Sequence, residues 1–295
     1  MATTDLVEAL AARRACRDLR AGAVIYSTVT AALLQPTRRP YAVRFDGIAA
    51  VNRPGIGGAW QRRRERPVLG GADLLLPWGP AAAEQAAGTL APGRPPPTVP
   101  LSPPIERAAP FADAPDVVAY AANPDKRGLD VLCAGWVQAG ARGARLGIAG
   151  LDSEQGRRAL GGPEPAGVEW LGQVERPRWL GLVAGARAFL SAARIEDWGL
   201  AQMEALAAGT PLVTAPAPGG NAALGLAMQL EPCLVASERS PAALGAMLAT
   251  ALGLGDAERA AYAERARELL EPYSEGATAR LVAEEVLPRL RNSSV

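Results

Sequence analysis

Residues 196–211 read Glu-Asp-Trp-Gly-Leu-Ala-Gln-Met-Glu-Ala-Leu-Ala-Ala-Gly-Thr-Pro, and seven residues separate the carboxylates of Glu196 and Glu204. Leu200 to Ala208 are strong helix formers, Gly199 frees the backbone at the entrance, and Gly209 with Pro211 stops the helix. Glu196 is therefore expected at a helix mouth, where the first amides lack partners and attract anions. Glu204 is expected about one turn inside the same helix, so both carboxylates can line one cleft. The spacing alone says little, because a solvated acid pair would show it too.

The flanking segments add context. Arg187 to Ser191 is a short apolar strand before the pair, Pro211 to Thr214 another after it, and Pro218-Gly219-Gly220 follows. Further strands are expected at 117–121, 145–149, 168–171 and 233–236, and helices at 129–139, 178–184, 241–252, 258–270 and 278–290. The first half alternates in the same way. Helices are expected over 5–19, 60–69 and 81–87, and strands over 23–27, 41–45, 73–76 and 98–101. Strands separated by helices imply a parallel sheet with helices on its faces. Proline is dense between Ala91 and Pro115, which reads as a linker.

Composition narrows the chemistry. The 295 residues can hold two domains, and 49% apolar residues suffice for real cores. A formal charge of +1 gives no global pull toward nucleic acid. Cys16, Cys133 and Cys233 have neither disulfide-framework nor zinc spacing, which fits a reducing cytoplasm. No apolar run approaches a membrane span, and the arginine-containing first twenty residues lack a signal-peptide core. Histidine is absent, which excludes a Ser-His-Asp triad, a histidine base and most zinc enzymes.

The order strand, acidic loop, helix, Gly-x-Pro, strand, Gly-Gly closely resembles the donor-binding domain of retaining glycosyltransferases of the two-domain GT-B fold, the group 1 or family 4 type. The resemblance implies an α/β fold of two Rossmann-like parallel-sheet domains with the first incomplete. Its divisions are a shortened amino-terminal acceptor-side domain over 1–108, a nucleotide-sugar donor domain over 109–275, and a last helix over 276–295 that crosses back to the first domain. Leu281, Val282, Val286 and Leu290 would form that helix's apolar stripe.

Site roles follow by the same resemblance. Ala119 to Gly128 is similar to the first donor-domain strand and the basic residue after it, so Lys126 and Arg127 would hold the diphosphate. The family's further arginine just upstream is replaced by Ala121, Ala122 and Asn123. Gly172, Gln173 and Val174 resemble the turn beside the nucleotide base. Glu196 would approach the donor sugar, Glu204 the ribose hydroxyls, and the amides of Gly199, Leu200 and Ala201 the phosphates. Trp170 reads as packing rather than as a base platform. Asp46 stands where many relatives carry a histidine near the donor sugar; it either orients a hydroxyl or caps the turn before Gly47.

The implied function is transfer of a sugar, a hexose by expectation, from a nucleotide diphosphate sugar to a glycan, lipid or small-molecule hydroxyl, without a metal. The family's Gly-rich loop has no counterpart ahead of Ala23, so an inactive, glycosyltransferase-like binding or scaffold protein is the competing reading. A sugar-nucleotide epimerase ranks below both, because its usual acid and base residues are not recognisable. Arg62, Arg63, Arg64 and Arg66 either touch an anionic membrane peripherally or form a solvated helix face. An exposed edge of the incomplete sheet would favour self-association.

Overall fold

The computed structural model describes residues 2–17, 21–34, 40–53, 55–90 and 95–292. It divides into two compact units, Met1–Pro104 with Glu275–Val295, and Ile105–Ser274. Both are α/β with wholly parallel sheets.

In the first unit β1 (Val24–Tyr26), β2 (Tyr41–Phe45) and β3 (Leu74–Pro77) pair in chain order. Side chains alternate across β3, and both faces are buried, as parallel sheets require. Leu75 packs with Val43, Phe45 and Leu69. Leu74 and Leu76 pack with Val99, Leu101, Val286 and Leu290. The expected strand at 98–101 is reduced to one parallel bridge, Leu75 to Thr98, because the prolines around it lack N–H donors. Of the proline-rich stretch, 91–94 lie outside the described residues; Val99, Leu101 and Ile105 are buried, so this part is packed chain and not a free linker.

Helix Ala2–Cys16 begins and ends earlier than the 5–19 expected; 18–20 lie outside the described residues. Helix Ala59–Gly70 buries Gln61, Glu65 and Leu69, one residue per turn, while Arg63, Arg64 and Arg66 stay exposed. The terminal helix is not continuous. A π turn at Val282–Val286 separates Glu275–Leu281 from Leu287–Asn292. Pro288 explains it, since it offers no N–H to the Glu284 carbonyl and its ring crowds that group.

In the second unit the strands are β4 (Val117–Tyr120), β5 (Leu146–Ala149), β6 (Val168–Gly172), β7 (Ala188–Leu190) and β8 (Leu212–Val213), in the order β6-β5-β4-β7-β8. The chain works outward from β4 through β5 to β6, then crosses to the other side of β4 for β7 and β8. The order reverses between β4 and β7, and ligands of such sheets sit at the carboxyl ends of the strands beside that reversal. At 233–236 the structure has a 3₁₀ turn, Pro232–Leu234, and a single Val235–Thr214 bridge instead of a strand. Two helices longer than a single turn were not expected in this unit. Ser153–Leu160 is started by a capping box between Asp152 and Gln155, and Ala222–Leu230 is capped by Asn221. Among the described residues no helix is long and apolar enough to cross a membrane.

Candidate active site

The chain leaving β4 makes one tight helical turn, Pro124–Arg127. Asn123 caps it by accepting a hydrogen bond from the Lys126 amide at 3.0 Å, and Gly128 ends it at φ +63°. A side chain on Gly128 would run into the Ala192 carbonyl just after β7. The glycine therefore lets the turn after β4 press against the loop after β7, and the Arg194 amide closes the contact on the Lys126 carbonyl at 2.8 Å. Lys126 and Arg127 are set at the reversal point in this way.

The loop after β7 brings the acids. Glu196, 4% exposed, pairs with Arg127, and Asp197 pairs with Lys126 at 3.0 Å. The Glu196 backbone is held by Pro218 and Asn221, through an N–H to the Pro218 carbonyl at 2.9 Å and a carbonyl accepting from the Asn221 amide at 3.1 Å. Gly219, at φ +117°, lies too close to the Glu196 carbonyl for any side chain. The Pro-Gly-Gly segment is thus a brace for the acidic loop. The Gln202 amide donates to Ser191 Oγ at 3.0 Å and more weakly to Glu196 at 3.4 Å.

Helix Leu200–Ala208 follows. Gly199 precedes it in left-handed conformation at φ +84° and supplies no capping side chain, so the amides of Leu200 and Ala201 enter the helix without a side-chain cap. Glu204, 2% exposed, accepts from the Trp179 indole N–H at 2.6 Å and pairs with Arg176. Burial disfavours the Arg176 charge, but the hydrogen bond and charge of Glu204, aided by Glu106, outweigh it and hold the guanidinium pKa above its usual value.

A cleft of about 380 Å³ opens here, within the 300–1,000 Å³ usual for small-molecule sites. Of the residues singled out in the sequence, Arg127, Gln173, Val174, Leu200, Ala201 and Glu204 line it. Glu196 and Lys126 are not in its lining; Glu196 is paired with Arg127 and Lys126 with Asp197. Gly172 and Gly199, both at positive φ, directly precede the lining residues Gln173 and Leu200. Tyr120, Arg176 and Trp179 also line it and were not anticipated. Arg176 and Trp179 lie 28 and 25 residues from Glu204, and no spacing signals that pairing. Tyr120 lies under the Arg127 guanidinium from the strand just before it, where only its aromatic type could have hinted at the contact. Trp170 packs against Gly156 of helix Ser153–Leu160. Asp46 belongs to the first unit, where it lines a separate cavity. Among the described residues no three His, Cys, Asp or Glu side chains gather as a metal site would need.

Residues 115–253 match the family model described as glycosyl transferases group 1. No curated protein matches the chain in sequence. Among solved structures, the chain is similar to the sucrose-phosphate synthase of Thermosynechococcus elongatus, with 18% identity and a TM-score of 0.71 over 98% of this chain and 78% of that one. It is similar to HepE of Anabaena solved with UDP and glucose, at 17% identity and a TM-score of 0.70, covering 96% of this chain and 82% of that one. An α,α-trehalose-phosphate synthase from Burkholderia xenovorans, solved with glucose 6-phosphate, gives 12% identity and a TM-score of 0.68 over 97% and 77%. At these identities the structures share the two-domain fold with this chain.

Proposed function

We propose that this chain, whose residues 115–253 form a glycosyltransferase domain of group 1, moves a sugar from a nucleoside diphosphate sugar to an acceptor hydroxyl with retention at the anomeric carbon. The observation that carries the reading is the meeting of Arg127, Glu196 and the entrance of helix Leu200–Ala208 at the β4/β7 reversal, beside a cleft that Glu204 lines.

Each part has a chemical task. The diphosphate gains negative charge as it leaves, and fixed cations with helix amides favour that transition state. Arg127 and Lys126 supply the cations, and the Leu200 and Ala201 amides the dipole. Arg127 trades part of its contact with Glu196 for the phosphate, and Glu196 then accepts from sugar hydroxyls. Glu204 has about four acceptor positions, of which Trp179 and Arg176 take one each, so ribose hydroxyls fit the rest. The acceptor oxygen forms a bond to the anomeric carbon on the face that the diphosphate leaves. The carbon–phosphate-oxygen bond breaks, and the hydroxyl proton passes to the departing phosphate oxygen. The bases of the ligands in HepE, UDP and UDP-glucose, make a uridine donor the first choice.

The test is turnover. Purified protein incubated with UDP-, GDP- and ADP-glucose, with and without sugar acceptors, releases nucleoside diphosphate from one donor. Glu196→Ala and Lys126→Ala each lower kcat/KM at least about 100-fold, the scale of losing a transition-state contact. No release from any donor, with any acceptor, supports the binding or scaffold reading instead.

A further inference from the structure

The first unit holds its own cavity, of about 240 Å³, at the carboxyl ends of β1 and β2. Ser27 and Thr28 after β1, Asp46 after β2, and Gln61 and Glu65 from helix Ala59–Gly70 give its polar wall. Phe45, Ile48 and Trp78 give its apolar wall.

On the polar wall, which also carries the Asn52 amide and the Arg53 guanidinium, two acceptors are short of donors among the described residues. Glu65 is 2% exposed, and both its oxygens accept from one group, the Ala49 amide, at 3.0 and 2.8 Å. A carboxylate has about four acceptor positions, so one amide leaves most of them unfilled. Burial pushes this carboxyl up to about 7, against the Ala49 hydrogen bond that pulls it down. Gln61, 3% exposed, gives its amide N–H to Asp5, while its Oε1 is buried with no partner among the described residues. Folded proteins seldom leave such an atom unpaired. Asp46 adds a second carboxylate.

The cation on the wall is occupied. Arg53 holds Asp5 through Nε at 3.0 Å and Nη2 at 3.3 Å, and its Nη1 donates to the Asn52 carbonyl at 3.1 Å. A phosphate entering here would meet the Glu65 and Asp46 carboxylates and, among the described residues that line the cavity, no guanidinium that is not already engaged.

We infer that this cavity binds a neutral polyhydroxylated molecule of monosaccharide size, whose hydroxyls donate to Gln61, Glu65 and Asp46, and that it rejects the phosphorylated form. Apolar faces of a sugar ring suit Phe45, Ile48 and Trp78. The ligand's role as acceptor rests on the transfer reading above; its binding does not.

Isothermal titration of the full chain tests this with glucose, mannose, galactose and N-acetylglucosamine, with glucose 6-phosphate and mannose 6-phosphate, with glucosamine, and separately with UDP. At least one free neutral sugar saturates the protein, and its 6-phosphate binds at least tenfold more weakly. Gln61→Leu and Glu65→Gln weaken the sugar at least fivefold. Where either fails to fold, Asp46→Asn, at an exposed position, gives the same loss. The inference is overturned if no neutral sugar binds, if a 6-phosphate binds more tightly, if glucosamine binds over tenfold more tightly than glucose, or if the variants bind as the parent does. Failure of UDP alone overturns the donor reading and leaves this one standing.

Discussion

Glu65 lies among four arginines in the sequence, and nothing in that run distinguishes it; its position four residues after Gln61 and four before Leu69 puts it on the buried stripe of its helix. The consequence is a pH dependence of opposite sign to the usual carboxylate. Its pKa is raised from 4.5 to about 7 by burial, so between those values the folded state holds the proton more tightly than the unfolded one. The stability tied to this proton is complete below pH 4.5 and is lost as pH rises through 7, on the order of 3 kcal/mol in all. Urea unfolding of the parent at pH 5 and pH 8 therefore gives a higher midpoint at pH 5 from this site, and Glu65→Gln removes that part of the slope. Equal slopes in the two proteins would mean that Glu65 titrates normally. Glu196 and Glu204 differ from it in their partners: each meets a guanidinium, where Glu65 has one backbone amide. Those two acids were legible from their place at a helix entrance. Arg127 was legible as a site residue but not as the partner of Glu196, and Arg176 and Trp179 were not legible at all, because these side chains meet the acids across the fold.

Elements with strong punctuation were readable. Helix Leu200–Ala208 is bounded by glycines at φ +84° and +76°, and the sequence marks both ends. The short turn Pro124–Arg127 carries the more demanding glycine. Gly128→Val is expected to destabilise the second unit by about 2 kcal/mol or more, since φ +63° alone costs a side chain roughly 1–2 kcal/mol and the Ala192 carbonyl occupies the space. Gly140→Ala is the control. It has nearly the same φ, +62°, with nothing within 4 Å, and suffers only the dihedral cost. Thermal melts should show the larger drop at 128, with weakened UDP binding; equal drops would mean that the turn after β4 is not pressed on the loop after β7. Other elements hid for specific reasons. The apolar run at 233–236 carries strand-like residues, but Pro232 has no N–H to start a ladder, and a 3₁₀ turn results. Pro288 breaks the terminal stripe into a π turn although Val286 and Leu290 still share one core.

At the scale of the whole chain, the alternation of strands and helices conveyed a parallel α/β class for both units, and the structure has it. Strand order was another matter. That β7 lies beside β4 depends on Asp116, Val117 and Val118 meeting Arg187, Ala188 and Phe189, a pairing across some 70 residues that periodicity does not encode. Yet this pairing is what gathers Arg127, Glu196 and Glu204 around one crevice. In the function proposed above, this crevice takes a nucleoside diphosphate. The direct measurement is a calorimetric titration of UDP into the parent, Arg127→Ala and Glu204→Gln. Saturable one-site binding to the parent is expected, with a loss of about 10–100-fold in Arg127→Ala, the worth of a charge-assisted contact. Glu204→Gln loses less, since a neutral amide still accepts from ribose. No binding of UDP to a folded parent, or the same affinity in Arg127→Ala, would contradict it.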